Sequence, residues 1–313
     1  MTSRELTTEP APPSEAIEAT PLRHPWRWVA AAIVLVLIGL FVYGAATNPN
    51  YHWDTYRAYL FDRRIETAAW NTLQLTFWAM VLGVGLGVVL AVMRLSPNGV
   101  LQSAAWVYLW IFRGTPVYVQ LVFWGLFTSL YPHLAFGIPF VHQFAHLNIQ
   151  TLNAAFFFAS LGLGLNEAAY MAEIVRAGIA SVSEGQTEAA TALGMSWSLT
   201  MRRIVLPQAM RVIIPPTGNE VISMLKTTSL VTAVPYTLDI YTTQRGIAGV
   251  LYRPVPLLLV ASTWYLAITS VLMIGQYFLE RHFARGSTRQ LTARQLRELA
   301  RAQSKQQGAA GAR

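Results

Sequence analysis

The sequence contains no cysteine, only two lysines, and few charges of any kind: Asp, Glu, Lys and Arg make up 12% of its 313 residues. The missing cysteine excludes disulfides and thiolate metal sites. The lysines, Lys226 and Lys305, follow Leu225 and Ser304 rather than a glycine. No phosphate-binding loop ending in Gly-Lys-Ser or Gly-Lys-Thr is therefore present, and the chain cannot hydrolyse ATP by that route. A soluble domain carries about a quarter charged residues, roughly twice the share found here. From Gly114 to Asn166 there is no Asp, Glu, Lys or Arg at all. Apolar residues instead make up 54% of the chain and cluster in long runs, which points to a multi-span membrane protein rather than a large soluble core.

Residues 1–25 are rich in Pro, Thr, Glu and Ala, too poor in large apolar side chains to offset chain entropy, and read as a disordered tail. The apolar run that follows is too long for a cleaved signal peptide and lacks a small-residue cleavage pattern. Residues 26–46 have one charge, Arg27, and are long enough to cross a bilayer as a helix. A polar, aromatic connection follows over 47–66. The run 68–93 is charge-free, contains Gly83, Gly85 and Gly87, and closes at Arg94 and a turn at Ser96-Pro97-Asn98-Gly99. Small residues let helices approach closely in lipid, so this glycine face is expected to pack on another helix. Further spans are read over about 103–130, 152–180, 212–240 and 254–279, six in all, with Pro132, Gly137 and Pro139 marking an external loop or re-entrant segment. Pro215-Pro216 and Pro235 are expected to break the fifth span. His133, His142 and His146 lack helical ligand spacing and a nearby carboxylate, so no metal site is expected.

The net charge of +8 lies largely in a basic tail, 281–313, which carries eight Lys or Arg. Beside a span, such a flank signals orientation rather than nucleic-acid binding. With the N-terminus inside, Arg4, Arg23, Arg27, Arg94, Arg176, Arg202, Arg203, Arg211 and the tail are internal; Arg57, Arg63, Arg64, Arg245 and Arg253 are external. Both termini are then cytoplasmic, and so is the polar stretch 183–207 between spans four and five.

That stretch reads as a helical hairpin. Ser183 and Gln186 stand at capping-box spacing, Glu184 and Glu188 sit where a helix N-terminus favours acid, and Ala189, Ala190, Ala192 and Leu193 favour helix. Gly194 is placed for a left-handed turn. Ser196 can cap a second short helix through Trp197, Leu199 and Ile204, with Arg202 and Arg203 near its end and Pro207 as its stop. Such a hairpin suits a groove on another protein or, equally, a linker lying on the membrane surface.

Glu188-Ala189-Ala190, three residues, Gly194, nine residues, Ile204, one residue, Leu206-Pro207 resembles the EAA motif of membrane subunits of ATP-binding-cassette importers. Thr72 to Thr76, Arg113-Gly114-Thr115-Pro116, Ala169-Tyr170 with Arg176-Ala177-Gly178, and Leu225 to Leu230 resemble the polar-amino-acid branch of that family, over roughly residues 65–280. The resemblance implies an all-α permease core of five helices, here with an extra N-terminal helix at 26–46. It implies that the cytoplasmic loop 183–207 docks on an ATPase through Glu188, Ala189, Ala190, Gly194, Ile204, Leu206 and Pro207. It further implies a second permease subunit, identical or not, an extracytoplasmic substrate-binding protein, a bilayer, and ATP-Mg held by the partner ATPase, with no cofactor on this chain. Glu167-Ala168-Ala169 reads similarly but lacks the spaced glycine and falls within a span.

Charged residues inside spans are costly and face cavities or one another. Arg113, Glu167, Glu173, Arg176, Glu220, Lys226 and Ser229 are the candidates for the translocation path or its gate. Glu173 and Arg176 share a helix face and can pair; they and Lys226 read as structural or gating, whereas acid at Glu167 or Glu220 would suit a cationic substrate. The expected function is a permease subunit of an ATP-driven amino-acid importer, not itself an enzyme. The alternatives are a permease for another small solute such as an opine or peptide, or a channel or scaffold outside this family.

Overall fold

The structure is a computed structural model that describes residues 25–131, 133–138, 142–148 and 154–283. The N-terminal tail and the basic C-terminal tail beyond residue 283 lie outside the described residues. The chain divides into two compact units, Met1–Tyr51 and His52–Arg313. The first contains α1 (Pro25–Thr47), apolar on all sides and long enough to cross a bilayer, and a short 3-10 turn, Pro49–Tyr51.

In the second unit, α2 (Trp53–Tyr59) leads to α3 (Arg63–Leu95). Asp62 starts α3: its carboxylate accepts from the Arg64 N–H at 2.9 Å and grips the Arg64 guanidinium at 2.9–3.0 Å. Ser96-Pro97 ends α3, and Asn98 caps α4 (Gly99–Gly114) by accepting from Val100 N–H at 2.9 Å. α5 (Val117–Leu130), α6 (Ala154–Ala180), α7 (Glu184–Ala192), α8 (Trp197–Thr200), α9 (Leu206–Thr227), α10 (Ile240–Leu251) and α11 (Pro254–Phe283) complete the helices. Helix covers the stretches read as spans, 103–130 as two helices and 212–240 only as far as Thr227, where a 3-10 segment, Thr228–Ala233, takes over; among the described residues α1, α3 and α11 meet the length and hydropathy of a span unaided.

Helix α3 lies along α6, and glycine sets the distance. A Cβ built at Gly83 would stand 2.6 Å from Glu167 Cγ, and one at Gly87 2.5 Å from Met171 Cβ. From the other side, a Cβ at Gly164 would meet Leu82 Cδ2 at 2.8 Å. Gly85 has nothing within 4 Å and points away, so the packing face comprises Gly83 and Gly87 only. The interior is a chain of apolar clusters. Leu75, Leu121, Phe158, Leu163, Met224 and Val231 form one, and Leu90, Ala105, Leu109, Ala168, Ala169 and Ala172 another. The alanines of the decoy Glu167-Ala168-Ala169 are thus core.

Three readings are corrected and a fourth gains detail. The span read over 103–130 is two helices, α4 and α5, parted at Thr115-Pro116. Pro215 and Pro216 lie inside α9 without ending it; a bundled helix tolerates the lost ladder bonds when its neighbours hold it, and Thr217 Oγ1 donates to Ile213 O at 2.8 Å beside them. Pro207 does not stop the second hairpin helix. Met201–Val205 forms one wide π turn, and Pro207 sits at the start of α9, where a missing N–H costs little. Finally, the segment read as an external or re-entrant loop holds a two-stranded antiparallel hairpin, β1 (His133–Ile138) and β2 (His142–Asn148), irregular between Phe136 and Gly137. His133 stands opposite Asn148, His146 opposite Ala135 and His142 opposite Ile138.

Candidate transport site and coupling hairpin

The break between α4 and α5 follows from three residues. Pro116 has no N–H and drives its predecessor to extended backbone; Thr115 accordingly sits at φ −114°, ψ 144°. Within a membrane every freed carbonyl needs a protein partner. Gln120 supplies it: Nε2 donates to Phe112 O at 2.9 Å, Thr115 O at 3.0 Å and Thr115 Oγ1 at 2.8 Å. Asn166 on α6 donates to Phe112 O and to Gln120 Oε1, both at 3.0 Å. Neither residue stood among the sequence candidates. Their only signal was a lone amide within an otherwise apolar run.

The break opens into a polar cleft of about 630 Å³ between α4–α5, α6 and α9, with Arg113, Asn166, Glu167, Tyr170, Glu220 and Thr227 on its walls. Glu167 is 4% exposed, and its Oε1 has no hydrogen-bond partner. Glu220 is half-buried on α9. No Lys or Arg pairs with either carboxylate among the described residues. Arg113, the cation on the same wall, is exposed and lies 5.6 Å from the centroid of the Tyr170 ring. Two carboxylates thus line one cleft, neither of them ion-paired, with Arg113 the one Lys or Arg among its lining residues.

Other candidates fall elsewhere. Glu173 and Arg176 pair through two hydrogen bonds, each about one-third exposed. Glu173 lines an adjoining cleft with Arg94 and Arg113, so its charge is committed to arginines. Lys226 is exposed at the end of α9, where its carbonyl accepts from Ser229 Oγ at 2.7 Å. Neither Lys226 nor Ser229 lines the two clefts. Asp239 is fully buried as the N-cap of α10, accepting from Thr242 N–H at 3.0 Å.

The hairpin over 183–207 is built on its glycine. Gly194 has φ +75°, a conformation costly for other residues. Gly194 N–H donates to Thr191 O at 2.9 Å and Met195 N–H to Ala190 O at 3.0 Å, the paired bonds of a Schellman end. The expected capping box is not made: Ser183 has no side-chain cap bond, and Gln186 N–H donates to Ser183 O at 3.0 Å instead. Ser196 likewise offers no side-chain cap. Ala190, Thr200 and Val205 are buried, fixing the hairpin to itself, while Glu188, Ala189, Leu206 and Pro207 are exposed and Ile204 is partly so. Leu193 at 81% and Trp197 at 70% exposure stand out beside the elbow. Two large apolar side chains held out beside a turn are a candidate contact surface.

Residues 83–285 match the family model described as binding-protein-dependent transport system inner membrane component. The chain belongs to this family. It is 62% identical, over 95% of its own length and 91% of the relative's, to the arginine transport system permease protein ArgU of Corynebacterium glutamicum. It is 37% identical to the nopaline transport system permease protein NocM of Agrobacterium fabrum, over 70% and 89% of the two chains. Among solved structures it resembles an amino acid ABC transporter crystallised with histidines, at 32% identity and a TM-score of 0.59, covering 70% of this chain and 94% of that one. The chain is therefore a multi-pass, predominantly α-helical permease of the amino-acid branch, a transport subunit rather than an enzyme.

Proposed function

We propose that this permease forms the translocation path of an ATP-driven importer of cationic amino acids, and that the solute's positive side chain balances Glu167 and Glu220. The observation that carries this reading is the pair of carboxylates on one intramembrane cleft, one of them buried with an unpartnered oxygen. A buried carboxylate without a cation is strongly disfavoured, and a passing guanidinium or ammonium supplies one. Identity to a permease named for arginine transport supports the same class. Arg113, which lines the same cleft, stands as the partner for the solute's α-carboxylate. Glu173 with Arg176, and Lys226 with Ser229, serve as structural or gating positions.

The hairpin is the coupling element. Glu188, Ala189, Ala190, Gly194, Ile204, Leu206 and Pro207 present it to a cytoplasmic ATPase, with Leu193 and Trp197 as apolar anchors. Two ATPase subunits holding ATP-Mg, a second permease and an extracytoplasmic binding protein complete the assembly, with both termini of this chain in the cytoplasm. Residues 65–280 make the permease domain, and the helix at 26–46 precedes it in the chain. ATPase closure moves the spans so that the cleft opens to each side in turn.

The test is uptake by the whole transporter in proteoliposomes, with labelled arginine and labelled glutamate. Arginine uptake that needs ATP and falls about 10–100-fold in Glu167→Gln, the range for a lost charged hydrogen bond, supports the reading. Equal uptake of both solutes, or an unaffected variant, refutes it.

A further inference from the structure

A second cavity, of about 990 Å³, lies away from the transport cleft between the start of α3, the segment 232–238 and α10. Three arginines line it: Arg63, Arg64 and Arg245. Arg64 is neutralised by Asp62 at 2.9 Å. Arg63 and Arg245 have no acidic partner among the described residues; Arg245 reaches only Thr232 Oγ1, at 3.4 Å. The cavity therefore carries uncompensated positive charge. Its remaining wall has an apolar side, from Leu238, Ile247, Val250 and Leu251, and a side of threonines with Asn71.

The surroundings place it at a membrane boundary. Arg63 opens a 33-residue helix long and apolar enough to span. α10 is amphipathic, burying Ile240, Ile247 and Ala248 while exposing Arg245 and Val250. Phe61 and Tyr252, close in sequence to lining residues, are 73% and 90% exposed, as aromatics are where headgroups meet hydrocarbon. We infer that this cavity is a lipid site: Arg63 and Arg245 hold the phosphate of an anionic phospholipid, and the Leu238–Val250 wall takes the start of its acyl chains. A free phosphate satisfies the arginines but leaves the apolar wall wet; a lipid uses both.

The experiment uses the assembled transporter in nanodiscs of mixed phosphatidylglycerol and phosphatidylcholine, stripped stepwise with detergent, the retained lipid being counted by mass spectrometry. The wild type should keep phosphatidylglycerol over phosphatidylcholine, and Arg63→Gln/Arg245→Gln should lose that preference about 25-fold, at roughly fivefold per basic residue. Arg63→Lys/Arg245→Lys should retain most of it. Arg57→Gln, which removes an arginine outside the cavity, should change nothing, and millimolar inorganic phosphate should not displace the lipid. If the double variant does not assemble, Arg245→Gln alone, at an exposed position, gives the same reading at about fivefold. Unchanged preference in the glutamine variants overturns the proposal. So does displacement by inorganic phosphate, which would mark a soluble-anion site. Weakened capture of the extracytoplasmic binding protein with lipid retention intact would mark a protein contact and overturns it equally.

Discussion

Gly194 is where a single substitution should separate coupling from folding. A Cβ at this position meets nothing within 4 Å, so substitution carries no clash, and the whole cost is the backbone at φ +75°. For an ordinary L-residue that cost is about 1–2 kcal/mol. It is smaller for Asn, which tolerates the left-handed region, and larger for a β-branched residue. The penalty is relieved only by opening the elbow and releasing the two bonds from Gly194 and Met195 to Thr191 and Ala190. One or two kcal/mol shifts such an equilibrium about 5–30-fold. ATP-driven uptake in proteoliposomes should therefore fall in the order Gly194, Asn, Ala, Val, with Gly194→Ala about 5–30-fold down. Thermal stability of the spanning helices should be unchanged, because the exposed elbow contributes no core contact. Co-purification of the ATPase should weaken in the same order. Equal uptake by all four proteins would refute the elbow's role in coupling.

Further outcomes follow from the same physics. Glu167→Gln removes a buried charge and keeps the side chain's shape, so the variant should unfold at the same or a higher temperature while transporting less; a destabilised variant would show that Glu167 is a structural carboxylate. Gly87→Leu should cost about 1–3 kcal/mol by overpacking against Met171, whereas Gly85→Leu, in open space, should stay within about 0.5 kcal/mol; thermal denaturation in detergent compares them. Asp62→Ala should cost about 1 kcal/mol as a lost N-cap, its exposed ion pair adding little. The Arg64 guanidinium beside Asp62 holds its carboxyl below the usual range. Its contribution is therefore full above the unfolded carboxylate pKa, near about 4, and is lost as pH falls through the lower folded value. Denaturation of wild type and Asp62→Ala should converge in acid and differ at neutral pH.

What could be read before the fold was known is what neighbouring residues decide. Charge-free runs marked the spans because hydrocarbon excludes charge wherever it falls, and Gly194 announced its turn because only glycine takes that φ freely. Glu173 and Arg176 were paired by helix spacing alone. The misreadings share another origin. Pro207, Pro215 and Pro216 are breakers by local rules, yet a wide turn and neighbouring helices carry the chain past all three. Pro116 does break its helix, but the charge-free run around it hid the break. Asn166 and Gln120 meet across 46 residues at Phe112 O, and Arg63 and Arg245 meet across a cavity from distant segments. No local pattern encodes such meetings. Glu167 and Glu220 were each suspected singly; their shared cleft required the fold.

The most direct measurement is a cryo-electron microscopy map of the assembled transporter trapped with arginine. The account predicts density for the solute between α5, α6 and α9, with the guanidinium within hydrogen-bonding distance of the Glu167 carboxylate and Glu220 facing it. Density for arginine elsewhere, with Glu167 still unpartnered in an empty cleft, would contradict it.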